Sequence, residues 1–159
     1  MKKNKFYPLA GTAVFLLDQW IKDYVEKNLK MGEKRTLAEK LELRRVHNPG
    51  ICLGVFANKP EKVKKLTEAG TGIVTVTQML ILLGNNHVLK KAGITLAAAG
   101  AWSNLTDRYQ KEKVVDYIGI KTEKKKLEQV TYNLGDFAIG AGGVLWVLGS
   151  MFKKEGTEL

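Results

Sequence analysis

Tyr132-Asn133-Leu134-Gly135-Asp136 runs directly into the apolar stretch Phe137–Phe152. A carboxylate at the mouth of an apolar segment is costly unless it is partnered or used. Asp136 is placed to cap a helix, since the positive end of the helix dipole suits an acid. Gly135 leaves room beside it for a close backbone approach. Capping and chemistry are compatible here, and the fold turns on whether other segments are built the same way.

Apolar residues make up 45% of the chain and gather in four patches, with the charges between them. The patches are Phe6 to about Val25, Ala69–Leu83, Ala92–Leu105 and Phe137–Phe152. The later three are shorter than the roughly 20 residues of a clean membrane span. Each lengthens if polar ends are admitted, as they are at an interface or a protein-lined cavity. Met1-Lys2-Lys3-Asn4-Lys5 ahead of the first patch resembles the start of a signal peptide. Asp18-Gln19-Trp20-Ile21-Lys22 then follows instead of a small-residue cleavage site, so a retained first helix is expected. Gly93, Ala97 and Ala101 recur every fourth residue, and Gly140, Gly142, Gly143 and Gly149 mark the last patch. Small residues of this kind let helices approach closely in lipid. The rival is a soluble helical bundle with Ala/Gly contacts, which the mean hydropathy of −0.16 favours.

Two polar stretches separate the patches. Within Lys27–Glu68, Leu41–Val46 alternates as a strand does, and Asn48-Pro49-Gly50 reads as a turn. The β-branched Val114–Ile120 predicts a second strand, and Lys121–Glu128 reads as solvated. Four membrane segments put both termini on one side. The N-terminal lysines, Lys90-Lys91 and Lys153-Lys154 then fall on the cytoplasmic face.

Composition removes several classes of function. Cys52 is the one cysteine, so there is no intrachain disulfide and no cysteine metal cluster, and Cys52 reads as a packing residue. His47 and His87 are the two imidazoles and lie far apart. The net charge of +10 fits nucleic acid or anionic lipid headgroups. No nucleic-acid-binding motif accompanies it, and no nucleic-acid partner is expected. A Gly-rich phosphate loop, Gly-x-Ser-x-Gly and His-Glu-x-x-His are all missing.

The remaining chemistry sits at the segment ends. Asp116 in Val114-Val115-Asp116-Tyr117 and Asp136 are two acids in apolar surroundings. If they meet, like charges in low dielectric oppose double ionisation, and one neutral acid beside one carboxylate is what hydrolysis by paired acids needs. Asp18 and Lys22 face one another on a helix, as an end pair or as a buried anchor for a site. Asn104 and Arg108 share a helix face with Asp107 between them in sequence, and the arginine suits a carboxylate or phosphate. Asn133 precedes Asp136, and Asn48 and Gly50 form another Asn/Gly cluster.

Taken in order, these strings resemble the signal peptidase II (lipoprotein signal peptidase) family of aspartic peptidases. Asp18-Gln19-x-x-Lys22 is similar to its first motif, Asn48-x-Gly50-Ile51-Cys52-Leu53-Gly54 to its Asn-x-Gly motif, and Asn104-x-x-Asp107-Arg108 to its third. Val114-Val115-Asp116-Tyr117 resembles Val-x-Asp-Phe, and Tyr132–Asp136 resembles Phe-Asn-x-Ala-Asp. Where the family has Gly-Gly-Ala-x-Gly-Asn, this chain has Ala99-Gly100-Ala101-Trp102-Ser103-Asn104, and the lost glycines narrow a helix contact beside the site. The resemblance implies a single domain over residues 1–159. Its fold would be a mainly α membrane protein, four transmembrane helices with a small extracytoplasmic β-cradle. It implies a bacterial inner-membrane enzyme with cytoplasmic termini that cleaves diacylglyceryl-modified prolipoproteins before the lipidated cysteine. Asp116 and Asp136 would be catalytic. Asn48, Gly50, Asn104, Arg108 and Asn133 would hold substrate or the acids, and Asp18 and Lys22 would brace the site. The implied partners are the prolipoprotein and membrane lipid, with no metal or organic cofactor. Two rivals stand beside this: an inactive relative that binds lipidated peptides uncleaved, and a soluble basic helical binding protein.

Overall fold

The computed structural model describes residues 4, 6–51, 55–123, 128 and 130–152, so expectations for Cys52 and Lys153-Lys154 lie outside the described residues. Its long helices are α1 (Phe6–Asn28), α2 (Pro60–Leu83), α3 (Val88–Lys111) and α4 (Leu134–Ser150). The strands are β1 (Lys34–Ala38), β2 (Leu41–Asn48), β3 (Val114–Ile120) and β4 (Thr131–Tyr132).

Each apolar patch became a helix; α1, α2 and α3 overrun their patches, and α4 starts before Phe137 but stops at Ser150. α2 starts at Pro60, so Pro60–Glu68 of the charged stretch is helical, with proline in the first turn where its missing N–H costs nothing. α3 extends past Ala92–Leu105 at both ends. The His87 ring nitrogen Nδ1 accepts from Leu89 N at 3.3 Å at its start.

α3 is the central element and packs against α1, α2 and α4. Backbone reaches backbone between α3 and α4. A Cβ added at Gly142 would lie 2.6 Å from Ala97 N and Gly93 O, and Gly93, Gly100 and Gly149 are likewise crowded by main chain, whereas Gly135 meets the side-chain oxygens of Asn133 and Asp18 first, at 3.0 and 3.1 Å. The expected four-residue stripe is corrected in part. Ala101 turns toward α2, where its carbonyl accepts from Thr71 Oγ1 at 3.5 Å, and Gly140 and Gly143 face open space. Ala99, one of the lost glycines, sits opposite Gly11 of α1, at ordinary contact distance for an added Cβ (3.9 Å).

The sheet is antiparallel in the order β1-β2-β3-β4. Two expected strands are present; β1 and the short β4 had no readable signal. The strand alternation is inverted. Glu42 and Arg44 of β2 are the buried pair, joined at 2.8 Å, and Gly119 of β3 makes room for the arginine stem. A register shift between Leu43 and Val46 sets Val46 opposite Asp116 and Asn48 opposite Val114.

The distribution of polarity is the reverse of a water-soluble bundle. Asp18, Lys22, Ser103, Asp107 and Asn133 are fully buried, whereas Ile73, Leu80 and Val144 are 67%, 66% and 60% exposed. Among the described residues one helix, α2, is long and apolar enough in itself to cross a membrane, and α4 is apolar but shorter.

Candidate active site

β3 and the start of α4 bring Asp116 and Asp136 to one place, and three asparagines hold them there. Asn133 is the N-cap of α4, not Asp136 as the cap reading had it. Its Oδ1 accepts from Asp136 N at 2.8 Å, and Asp136 Oδ2 accepts from Asn133 N at 3.1 Å. This reciprocal capping box satisfies two orphan amides of the first turn and fixes Asp136 as the third helical residue. The remaining amide group of Asn133, Nδ2, donates to Asp116 Oδ1 at 2.7 Å. One buried asparagine therefore touches both carboxylates. Asn48 Nδ2 donates to Asp116 Oδ2 at 3.1 Å, and Asn104 Nδ2 donates to Asp136 Oδ1 at 2.9 Å. All four carboxylate oxygens are held by neutral amides, which fix position without supplying a counter-charge.

Asp116 is 2% exposed, and its carboxyl is pushed up to about 7. Burial is the largest cause and the charge of Asp136 the next. The Asn48 and Asn133 amides and the positive charge of Lys22 pull the other way. Asp116 therefore keeps a proton up to near neutral pH, and because the acids are coupled that proton belongs to the pair rather than to one of them.

Behind the acids lies a buried ionic cluster. Lys22 Nζ pairs with Asp18 Oδ2 at 2.8 Å and Asp107 Oδ2 at 3.1 Å, and donates to Asn104 Oδ1 at 3.0 Å. An ammonium only donates, so it turns the Asn104 carbonyl toward itself and the Asn104 NH2 toward Asp136. Asp18 and Lys22 thus form a fully buried pair. Arg108 Nη2 donates to the Gly50 carbonyl at 2.5 Å. Gly50 N in turn donates to Asn48 Oδ1 at 3.0 Å, so this loop is pinned to both α3 and β2.

Three members of the network went unassigned in the sequence. Ser103, read as a lost glycine, donates to Asp18 Oδ2 at 2.5 Å and accepts from Gln19 Nε2 at 2.8 Å. Tyr117 donates to Asp18 Oδ1 at 2.8 Å and accepts from Leu134 N at 3.0 Å, tying β3 to the first turn of α4. Burial and the adjacent Asp18 charge keep its phenol protonated. Asp107 accepts from Val115 N at 3.1 Å, which locks β3 to α3 one residue before Asp116. The readable signal was helical spacing: Ser103, Asp107 and Lys111 recur every fourth residue, on one face of α3. Nothing local marked Tyr117.

Comparison with known proteins agrees with this geometry. The family model described as signal peptidase (SPase) II matches residues 11–152. A lipoprotein signal peptidase of Mesorhizobium japonicum is 32% identical over 149 residues, covering 89% of this chain and 82% of the relative. One from Moorella thermoacetica is 27% identical over 158 residues, covering 94% and 97%. A solved bacterial membrane enzyme shares the fold with a TM-score of 0.77 at 21% identity, covering 98% of this chain and 94% of its own. The match runs through every segment that builds the asparagine-held acid pair, and the chain belongs to the signal peptidase II family.

Proposed function

We propose that this chain removes the signal peptide of diacylglyceryl-modified prolipoproteins by aspartic-peptidase chemistry, with Asp116 and Asp136 as the catalytic pair. The carrying observation is Asn133, which bonds both carboxylates and so holds two acids in one site. One acid, as carboxylate, takes a proton from water while the water oxygen attacks the carbonyl carbon before the lipidated cysteine. The other, protonated, gives its proton to the leaving amide nitrogen as the carbon–nitrogen bond breaks. The products are a signal peptide with a new carboxyl end and a lipidated cysteine with a free amine. Asn48, Asn104 and Asn133 hold the acids, Asp18 and Lys22 brace Asn104, and Arg108 shapes the Gly50 loop.

The bilayer placement belongs to the same proposal. The whole chain acts as one unit, with α1 to α4 as four spans. At 1.5 Å per residue α1, α2 and α3 are about 35 Å long, against a hydrocarbon core of about 30 Å, and α4 about 26 Å. Outward leucine, isoleucine and valine around a polar interior support this placement. The sheet and the acid pair then lie at the extracytoplasmic surface. Both termini and the α2–α3 connection, followed by Lys90 and Lys91, lie on the cytoplasmic side, as the positive-inside rule favours.

Mass spectrometry of a diacylglyceryl prolipoprotein mixed with the detergent-solubilised protein tests the chemistry. The unchanged chain should cleave before the lipidated cysteine, and Asp116→Asn and Asp136→Asn should each lose roughly 10³-fold or more. Cleavage surviving in either variant means that the pair is wrongly assigned. A folded but inactive parent means that the chain binds without cutting.

A further inference from the structure

One group of basic residues lies at a place that the catalytic site does not use. Lys59, Lys62, Lys64 and Lys65 crowd the first two turns of α2, with Glu61 as the acid of the first turn. Lysines there repel the positive end of the helix dipole, so the helix gains nothing from them. Two of them nevertheless rest on aromatic rings. Lys62 Nζ lies 4.3 Å from the centre of the Phe56 ring, and Lys64 Nζ lies 4.0 Å from that of Tyr109. Tyr109 is itself fixed by donating to Glu68 Oε1 at 2.5 Å, and it adjoins Arg108 on α3. The same rim is greasy: Val55, Phe56 and Leu66 are exposed.

Height along α2 supplies the second argument. From Leu66 to Leu83 its exposed side chains are apolar at Leu66, Ile73, Val76, Met79, Leu80 and Leu83. At 1.5 Å per residue that face spans about 26 Å, close to one hydrocarbon core. The lysines therefore emerge at headgroup level, at the end of the bundle that holds Asp116 and Asp136. Cations resting on aromatic rings above an apolar face match one partner, a phosphodiester whose acyl chains lie against that face.

We propose that Lys59, Lys62, Lys64 and Lys65 form a collar that binds the headgroup of an anionic phospholipid beside the catalytic mouth. The inference rests on the membrane placement proposed above. It gives the otherwise unexplained lysines of α2 a ligand.

The test uses the full chain in nanodiscs of phosphatidylcholine alone, or of equal parts phosphatidylcholine and phosphatidylglycerol. Phospholipid retained after extraction is counted by native mass spectrometry, which does not depend on cleavage. Retained phosphatidylglycerol is expected, falling about five-fold for each lysine removed in the series Lys62→Gln, Lys65→Gln and the fourfold variant. Lys34→Gln and Lys40→Gln, on the exposed part of the sheet, should leave it unchanged. In the anionic nanodiscs KM for the lipidated substrate should be lower, and this gain should vanish in the fourfold variant while kcat stays the same. Equal retention of both lipids, an unchanged count in the fourfold variant, or the same loss in the sheet variants overturns the collar. Full displacement by inorganic phosphate at equal concentration overturns it too, because the site would then read phosphate rather than lipid. If lipid is retained but nothing is cleaved, the collar stands and the peptidase reading fails.

Discussion

Asn133 shows how much a single residue fixes here. Its backbone N–H and side-chain oxygen close the capping box, and its side-chain NH2 reaches the second acid. The raised Asp116 carboxyl makes this site sensitive to pH in a definite direction. Its folded value of about 7 lies above the usual carboxylate range, so between about pH 4 and 7 the folded chain binds more protons than the unfolded one. Stability from this group is present below the unfolded value and is lost as pH rises through about 7. Melting curves in detergent should show that decline, and in Asp116→Asn the slope should be shallower. Cleavage should fall off above neutral pH, as the shared proton leaves the pair. Lys22 carries a different risk. Removing it in Lys22→Met leaves the buried Asp18 without its counter-ion and Asp107 with Lys111 alone, and a loss of about 3–5 kcal/mol in unfolding free energy is expected. Ser103→Ala, which deletes one hydroxyl from the same cluster, should cost about 1–2 kcal/mol. Most of these residues were legible in order and spacing, because an acid or asparagine at an apolar segment end stands out. Ser103 and Tyr117 were not, because a buried hydroxyl looks like any other small polar or aromatic residue until its partner from a distant element arrives.

At the level of elements, hydropathy found the four helices but misjudged their ends and their faces. α1 and α3 carry Asp18, Lys22, Asp107 and Arg108 inward, so their average polarity hides what their outer faces are like. The strand over Val114–Ile120 was read from β-branching. β1 was not, because Lys34–Ala38 is exposed throughout and its pattern follows no core. The glycines of α4 make the point sharply, since the sequence gives Gly142 and Gly143 equal standing. In the structure Gly142 meets the α3 backbone, and Gly143 meets nothing within 4 Å. Gly142→Ala should therefore push α4 off α3 and destabilise by about 1–3 kcal/mol. Gly143→Ala should be neutral or stabilising by up to about 1 kcal/mol, because alanine restricts the unfolded chain and favours helix. Thermal unfolding of the two variants in the same detergent decides it. Equal losses would mean that the α3–α4 contact does not run through the face containing Gly142.

For the whole molecule the deciding feature is polarity turned inside out, which no average over the chain can register. Charged loops pull the mean hydropathy down to −0.16, while the helices present leucine, isoleucine and valine outward. Buried ions satisfied by one another and apolar residues facing out make a stable arrangement in lipid and an unstable one in water. The proposed orientation can be tested on the same frame. Lys40 lies in the β1–β2 turn on the catalytic side, and Asn85 lies in the α2–α3 connection at the opposite end of the bundle. In a background where Cys52 is replaced by serine, Lys40→Cys and Asn85→Cys each offer one thiol. A membrane-impermeant maleimide added to intact spheroplasts should label Lys40→Cys and spare Asn85→Cys. After lysis both should react. Labelling of Asn85→Cys in intact spheroplasts with Lys40→Cys protected would invert the topology and place the acid pair on the cytoplasmic side. Labelling of both before lysis would remove the bilayer from between them, and with it the account of the apolar exterior.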